Sequence, residues 1–313
     1  MAQKNQRSQF LFGFLILIIA NIGFSSKAVV IKLLYREGVD TLSVIAMRMI
    51  FSLPIFVFTA IVLYTKKDKD KTEAPLTWQS FLLIGALGVL SYYVSSMLDF
   101  LGLQYVTASV ERLILFTYPT IVLIISIFFY GKKIAPPQSY YIIFSLLLTY
   151  LGIFIAFAAE NGIGQQTDLV KGSLLIGACA FTYALYVVWT GELVHRVGSV
   201  RFTAYAMIGA TVPAIIQSYI YNGVAIFGYS AEVYKLAIWL VLGATIIPVF
   251  LITEGIRLVG ASLSSIIGFV GPVATIILGR VFLSEIVTPL QLLGTGFVLF
   301  GIFFIGWKGK NKI

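Results

Sequence analysis

The sequence predicts an all-α integral membrane protein, ten transmembrane helices built as two inverted five-helix repeats, and three observations carry that expectation. Composition is the first: 59% of the 313 residues are hydrophobic and only 11% are charged, less than half the roughly 25% with which a soluble domain solvates its surface. The second is a count of apolar stretches long enough, at about 20 residues, to cross some 30 Å of hydrocarbon. Ten occur, at 10–32, 41–64, 78–99, 106–130, 139–159, 172–190, 202–224, 234–253, 261–282 and 290–307. The third is an internal repeat. At an offset of 153, Gly102 aligns with Gly255, Ala108-Ser109 with Ala261-Ser262, Pro119 with Pro272, Pro136 with Pro289 and Gln138 with Gln291, and at an offset of 159 Pro54 aligns with Pro213. The repeats cover 10–159 and 172–307. Five spans is an odd number, so the second half is expected upside down relative to the first, an arrangement typical of carriers that handle substrate between the halves.

Taken in order, the first span follows Lys4 and Arg7. It is expected to be retained rather than cleaved as a signal peptide, since apolar character resumes beyond Lys27. The second contains Arg48 and Pro54, and the basic run 66–71 that follows reads as a topology anchor. The third carries Tyr92, Ser96 and Asp99 at i, i+4 and i+7, one polar stripe that must be buried in protein or line water. In the fourth, Glu111 and Arg112 stand near the start and Pro119 inside; in the ninth, Pro272 takes the matching place. A proline within a helix frees the carbonyl four residues earlier, here Leu115 and Gly268, so a kink and hinge are expected at both. The sixth presents Tyr183, Tyr186 and Trp189 at spacing three, a candidate aromatic wall facing the third. Gly85, Gly88, Ser262, Ser265, Gly268 and Gly271 are expected to permit close helix approach.

Basic residues set the orientation. With the N-terminus inside, fourteen Lys and Arg fall on one face, including Lys132, Lys133, Arg201 and Arg257, against five on the other. Ten spans then place both termini in the cytoplasm.

The paired segments LGLQYVTASVERLILFTYPTIVLIISIFFYGKKIAPPQ and EGIRLVGASLSSIIGFVGPVATIILGRVFLSEIVTPLQ resemble the EamA-type family of the drug/metabolite transporter superfamily. Lys27 before AVVIK and Arg48 in IAMRMIFSLP are similar to its first two helices. The resemblance implies a ten-helix carrier with a cavity between the halves, lined mainly by the first, third, fourth, sixth, eighth and ninth helices, and it favours export. One departure stands after the fourth helix, where Gly131-Lys132 replaces the usual Gly-Glu; the second repeat keeps the acid as Glu285.

Charge within spans costs about 2.5–3.5 kcal/mol per residue at a helix centre. Counting 1.5 Å per residue, Lys27, Arg48, Asp99, Glu111 and Arg112 share the outer third of the membrane. Their equivalents in the second repeat, Tyr186, Met207, Ile252, Ser264 and Ser265, carry no charge. Substrate contacts are therefore expected from Lys27, Tyr92, Ser96, Asp99, Glu111, Arg112, Tyr183 and Tyr186, with a structural ion-pair network as the competing reading. Arg48, on a helix peripheral in the family, is expected to be structural.

A secondary carrier of a small polar metabolite such as an amino acid follows, working by alternating access across the cytoplasmic membrane. An exchanger of phosphorylated metabolites or nucleotide sugars is the alternative. A membrane enzyme or a non-transporting receptor is a different class. The lone His195 and lone Cys179 leave no Cys/His metal site or internal disulfide, and no GK[ST] loop suggests ATP chemistry. Neither cofactor nor nucleic acid is expected. The expected partners are the substrate and the lipid bilayer, and a homodimer is compatible with the sequence.

Overall fold

The computed structural model describes residues 2–65, 77–130, 136–163, 168–222, 225–259, 264, 267–268 and 270–308. The basic run 66–71, Gly131-Lys132, Ala261, Ser262 and Ser265 lie outside them, as does the side chain of His195. The described residues are helical almost throughout and contain no strand.

Helix α1 (Ala2–Arg36) ends because Gly38 adopts φ +78° and returns its N–H to the Tyr35 carbonyl at 3.0 Å, the left-handed stop that glycine takes without a Cβ penalty. The Asp40 carboxylate then accepts from the N–H groups of Leu42 (2.9 Å) and Ser43 (3.1 Å) and starts α2 (Thr41–Thr65). Thr77, Thr107, Asp168 and Ser230 cap in the same way the helices α3 (Trp78–Gly88), α5 (Ala108–Leu115), α8 (Leu169–Val197) and α10 (Ala231–Val241). The remaining elements are α4 (Ser96–Gly102), α6 (Tyr118–Tyr130), α7 (Pro136–Ile163), α9 (Ser199–Asn222), α11 (Ile247–Val259), α12 (Val270–Leu283) and α13 (Pro289–Lys308).

Two long helical segments carry a π-turn. Val89–Ser95 joins α3 to α4, and Leu242–Ile246 joins α10 to α11. Their first residues are 153 apart (242 − 89), the offset of the sequence repeat. Widening the turn shifts backbone partners from i+4 to i+5, and in each turn a hydroxyl reaches the carbonyl five residues earlier: Ser95 Oγ to Leu90 at 3.0 Å, Thr245 Oγ1 to Leu240 at 2.8 Å.

The two expected proline kinks take another form. The fourth span breaks at Phe116-Thr117, whose N–H groups bond to Arg112 (3.3 Å) and Ile114 (3.0 Å), and Pro119 is the second residue of the new helix α6. Pro272 is the third residue of α12, after a turn in which the Gly268 carbonyl accepts from Gly271 at 2.9 Å. The Gly268 carbonyl is thus not freed as expected. Both prolines occupy a first helical turn, where a missing N–H removes no bond. Pro54 and Pro213 do lie inside their helices, α2 and α9.

Among the described residues, seven helical segments are long and apolar enough to cross a membrane: Leu11–Arg36, Thr41–Leu63, Trp78–Gly102, Ala108–Phe128, Leu169–Thr190, Ser199–Tyr221 and Ala231–Ile252. Three shorter apolar stretches, Ile143–Ala159, Val270–Leu283 and Pro289–Gly301, accompany them within the described residues. Large apolar side chains face outward along these elements, Phe58, Phe128, Leu147, Phe154 and Leu174 among them, as expected of a surface solvated by lipid rather than water.

Small residues decide how closely the helices pack. A Cβ on Gly88 would run into the Ala206 carbonyl, and Gly85 faces Gly209, so α3 lies backbone to backbone on α9. Gly152 and Gly294 do the same for α7 and α13, each glycine's Cβ position lying 2.5 Å from the other's carbonyl oxygen. At the centre, α1 packs against α10, α11 and α12, while α8 packs against α4, α5 and α6. The space left between these two groups is the site.

Candidate functional site

A cavity of about 250 Å³ lies between α1, α2, the first π-turn, α4, the α5–α6 break, α8 and the second π-turn. Of the side chains expected from sequence, Lys27, Tyr92, Ser96, Asp99, Arg112 and Tyr183 line it. Glu111 and Tyr186 do not. Glu111 is buried behind the wall at 1% exposure, and Tyr186 packs edge-on or tilted among Tyr92, Tyr183 and Phe202 with ring centroids 5.9–6.2 Å away. Trp189 is exposed and takes no part in the wall.

The charges are distributed unevenly. Lys27 Nζ lies 2.6 Å from Asp99 Oδ2 and 4.0 Å from Glu111 Oε1, so one ammonium serves both acids. Those carboxylates are 2% and 1% exposed. Arg48 donates from Nη1 to Ser96 Oγ at 2.9 Å, and Arg112 donates from Nη2 to Ser25 Oγ at 3.0 Å. Neither guanidinium forms an ion pair among the described residues. Lys27 Nζ (6.0 Å from the ring centroid) and the Arg48 guanidinium (5.6 Å) both lie within cation–π range of Phe100. Arg48 Nε, Arg112 Nε, Asp99 Oδ1 and both oxygens of Glu111 are buried without a hydrogen-bond partner.

Arg48 shares the charged cluster expected from sequence, where a structural role was favoured because its helix was expected at the periphery; it lines the cavity at 7% exposure. The signal was available, since an arginine inside an apolar span must face protein or water. Ser91, Ser95 and Thr245 were missed. A regular helix turns side chains 100° per residue, and the extra residue of each π-turn adds a second hydroxyl-bearing face that no 3.6-residue period contains.

At the end of the bundle that carries Arg36, the chain is tied together across its two halves. Glu285 accepts from the Ala108 N–H at 2.9 Å and from Ser109 Oγ at 3.4 Å, capping the start of α5. Lys32 Nζ lies 3.7 Å from the same carboxylate and donates to the Val106 carbonyl at 2.6 Å. Arg36 donates to the Leu283 carbonyl at 2.5 Å, and Ser284 beside it has φ +58°, the one described non-glycine residue with positive φ. Glu285 is 7% exposed.

The family model described as the EamA-like transporter family matches residues 11–158 and 170–307. The chain is 30% identical over 303 residues to the uncharacterized transporter YcbK of Bacillus subtilis (strain 168), covering 94% of this chain and 91% of that one. An uncharacterized transporter of Synechocystis sp. is 23% identical over 97% of both chains. One solved structure, described as the crystal structure of a protein, superposes with a TM-score of 0.59 over 96% of this chain and 99% of its own at 14% identity, a likeness of fold.

Proposed function

The chain belongs to the EamA-like transporter family and is a multi-pass membrane protein, and from that premise we propose that it carries a small polar metabolite, such as an amino acid, across the cytoplasmic membrane by alternating access, in the direction of export. The observation that carries the reading is the cavity: four charged side chains, with Glu111 behind them, and a ring of hydroxyls gathered deep among apolar helices. Lipid-solvated helices do not tolerate such a group unless it is paired or wet. A merely structural ion-pair network would leave no arginine unpaired.

In this reading ten spans cross the membrane with both termini in the cytoplasm, and the halves 10–159 and 172–307 are inverted copies. The matched π-turns and the matched helix restarts before Pro119 and Pro272 support that symmetry. The Arg36 end then faces outside, where Glu285 of the second half caps α5 of the first, a tie between the halves that would serve as the outer closure of the path. Alternation would require that closure to part while the opposite end seals. The restarts at Phe116-Thr117 and Gly268, rather than the prolines themselves, are the hinges of this mechanism.

At about 250 Å³ the cavity lies just below the roughly 300–1,000 Å³ that houses drug-sized ligands. That size favours amino-acid-sized compounds over nucleotide sugars. Counterflow into proteoliposomes of amino acids, small organic acids, sugars and phosphate esters tests the proposal. Uptake of one class against its own gradient supports it, and the absence of exchange for every class rejects it.

A further inference from the structure

We propose that the cavity recognises its cargo through an anionic group, a carboxylate or a phosphate, held between Arg48 and Arg112, and that Lys27 is not part of that contact. This deepens the transport reading of the same cavity and rests on it only in calling the bound anion cargo.

The inference follows from which of the three cations already stands against a carboxylate. Lys27 stands against two carboxylates, at 2.6 and 4.0 Å. Asp99 lines the cavity and Glu111 lies behind it, and both carboxylates are nearly fully buried beside the ammonium, at 2% and 1% exposure. They present little surface to a cationic ligand. Arg48 and Arg112 are the reverse case, with one hydroxyl partner each and no carboxylate. Both line the cavity. An unpaired buried guanidinium is costly, and an anion that fills the cavity offsets two such costs at once. Arginine is also suited to the contact, because its planar fork matches carboxylate and phosphate oxygens in pairs.

The surroundings aim both heads rather than neutralise them. Ser96 holds one nitrogen of Arg48, and Phe100 stands beneath its guanidinium. Ser25, itself bonded to the carbonyls of Asn21 (2.7 Å) and Gly271 (2.9 Å), holds one nitrogen of Arg112. Each fork therefore retains nitrogens for a ligand.

The test uses the purified full-length protein in detergent and follows thermal unfolding at matched ionic strength. Succinate and glycerol 3-phosphate are compared with their uncharged counterparts succinamide and glycerol, on wild type, Arg48→Gln, Arg112→Gln and the double variant. We expect at least one anion, and neither neutral compound, to raise the melting temperature of wild type. Which anion acts separates carboxylate from phosphate. Each single variant should weaken that binding about tenfold to a hundredfold, as expected for loss of a charged hydrogen bond, and the double variant should abolish it. Without ligand, both single variants should melt no lower than wild type, since each removes an unpaired charge. Equal effects of charged and neutral compounds, a full response in the double variant, or destabilised apo variants that mark the arginines as structural would each overturn the inference. Anion-specific stabilisation with no flux of any compound would leave the inference standing and reject transport. Flux of a cationic or neutral compound without anion stabilisation would do the opposite.

Discussion

Replacing Lys27 by Met should destabilise the protein more than any other single change in the cavity, and the structure sets the scale. One ammonium is 2.6 Å from Asp99 and 4.0 Å from Glu111. At an effective dielectric of about 20 those separations correspond to gross attractions of about 6 and 4 kcal/mol, most of which offsets the desolvation of three charged groups. Removing the cation leaves two buried carboxylates facing each other, and breaking a buried pair in this way costs roughly 3–5 kcal/mol in soluble interiors. At roughly 2–4 °C per kcal/mol for a chain above 150 residues, the apparent melting temperature in detergent should fall by about 6–20 °C. Asp99→Asn alone should cost less, because Lys27 retains Glu111. The informative variant is Lys27→Met combined with Asp99→Asn and Glu111→Gln, which removes all three charges and should recover most of the loss. Fluorescence-detected size exclusion after graded heating reads each variant's surviving folded fraction. A Lys27→Met protein as stable as wild type, or a triple variant no better than the single, would refute the assignment of Lys27 to both acids. An Arg112→Met with Glu111→Gln pair should show no such rescue, since Glu111 faces Lys27 and Arg112 faces Ser25.

Four further outcomes follow from the same geometry. Cys179, the sole cysteine, lines the cavity at 5% exposure, so Glu285→Gln should raise its reaction rate with an impermeant maleimide added outside, by up to about 10–100-fold for loss of a charge-assisted bond; an unchanged rate would remove Glu285 from the closure. With Cys179 replaced, a reporter cysteine at Gly164 should label in intact cells and one at Lys69 should not, and the reverse pattern would overturn the orientation. Gly88→Leu should lower folded yield, by roughly 1–3 kcal/mol of overpacking or more, because the Ala206 carbonyl it meets is backbone; normal yield and melting would contradict the close packing of α3 on α9. Pro119→Ala and Pro272→Ala should each shift melting by less than about 1 kcal/mol, since a first-turn N–H has no carbonyl to regain, and a large drop in either would restore the mid-helix reading.

Much of the site was legible before any coordinates. Apolar runs located the helices, and rise per residue placed Lys27, Arg48, Asp99, Glu111 and Arg112 at one depth because both quantities belong to a single helix and need no neighbour. The polar stripe Tyr92, Ser96 and Asp99 was likewise visible as a period, and all three line the cavity. Two readings changed in detail for reasons equally specific. Pro119 and Pro272 looked like interior kinks because sequence shows an apolar run, not the turn that divides it at Phe116-Thr117 or at Gly268. Arg48 looked peripheral because α2 was assigned its place by analogy rather than by the demand its own charge makes.

What the sequence by itself determined is therefore the class of the molecule: an all-helical membrane chain with charged residues set within its apolar spans. What the tertiary structure alone decided is who pairs with whom. Depth along a helix follows from counting residues, whereas pairing depends on how each helix is rotated and how near it comes to the next. Those quantities are set by contacts between distant segments, such as Gly88 against Ala206, and by the π-turns at Val89–Ser95 and Leu242–Ile246 that rotate the helix beyond them. That rotation gives both acids to Lys27, leaves Arg48 and Arg112 without one, and carries Glu285 to the N-terminus of a helix 177 residues earlier.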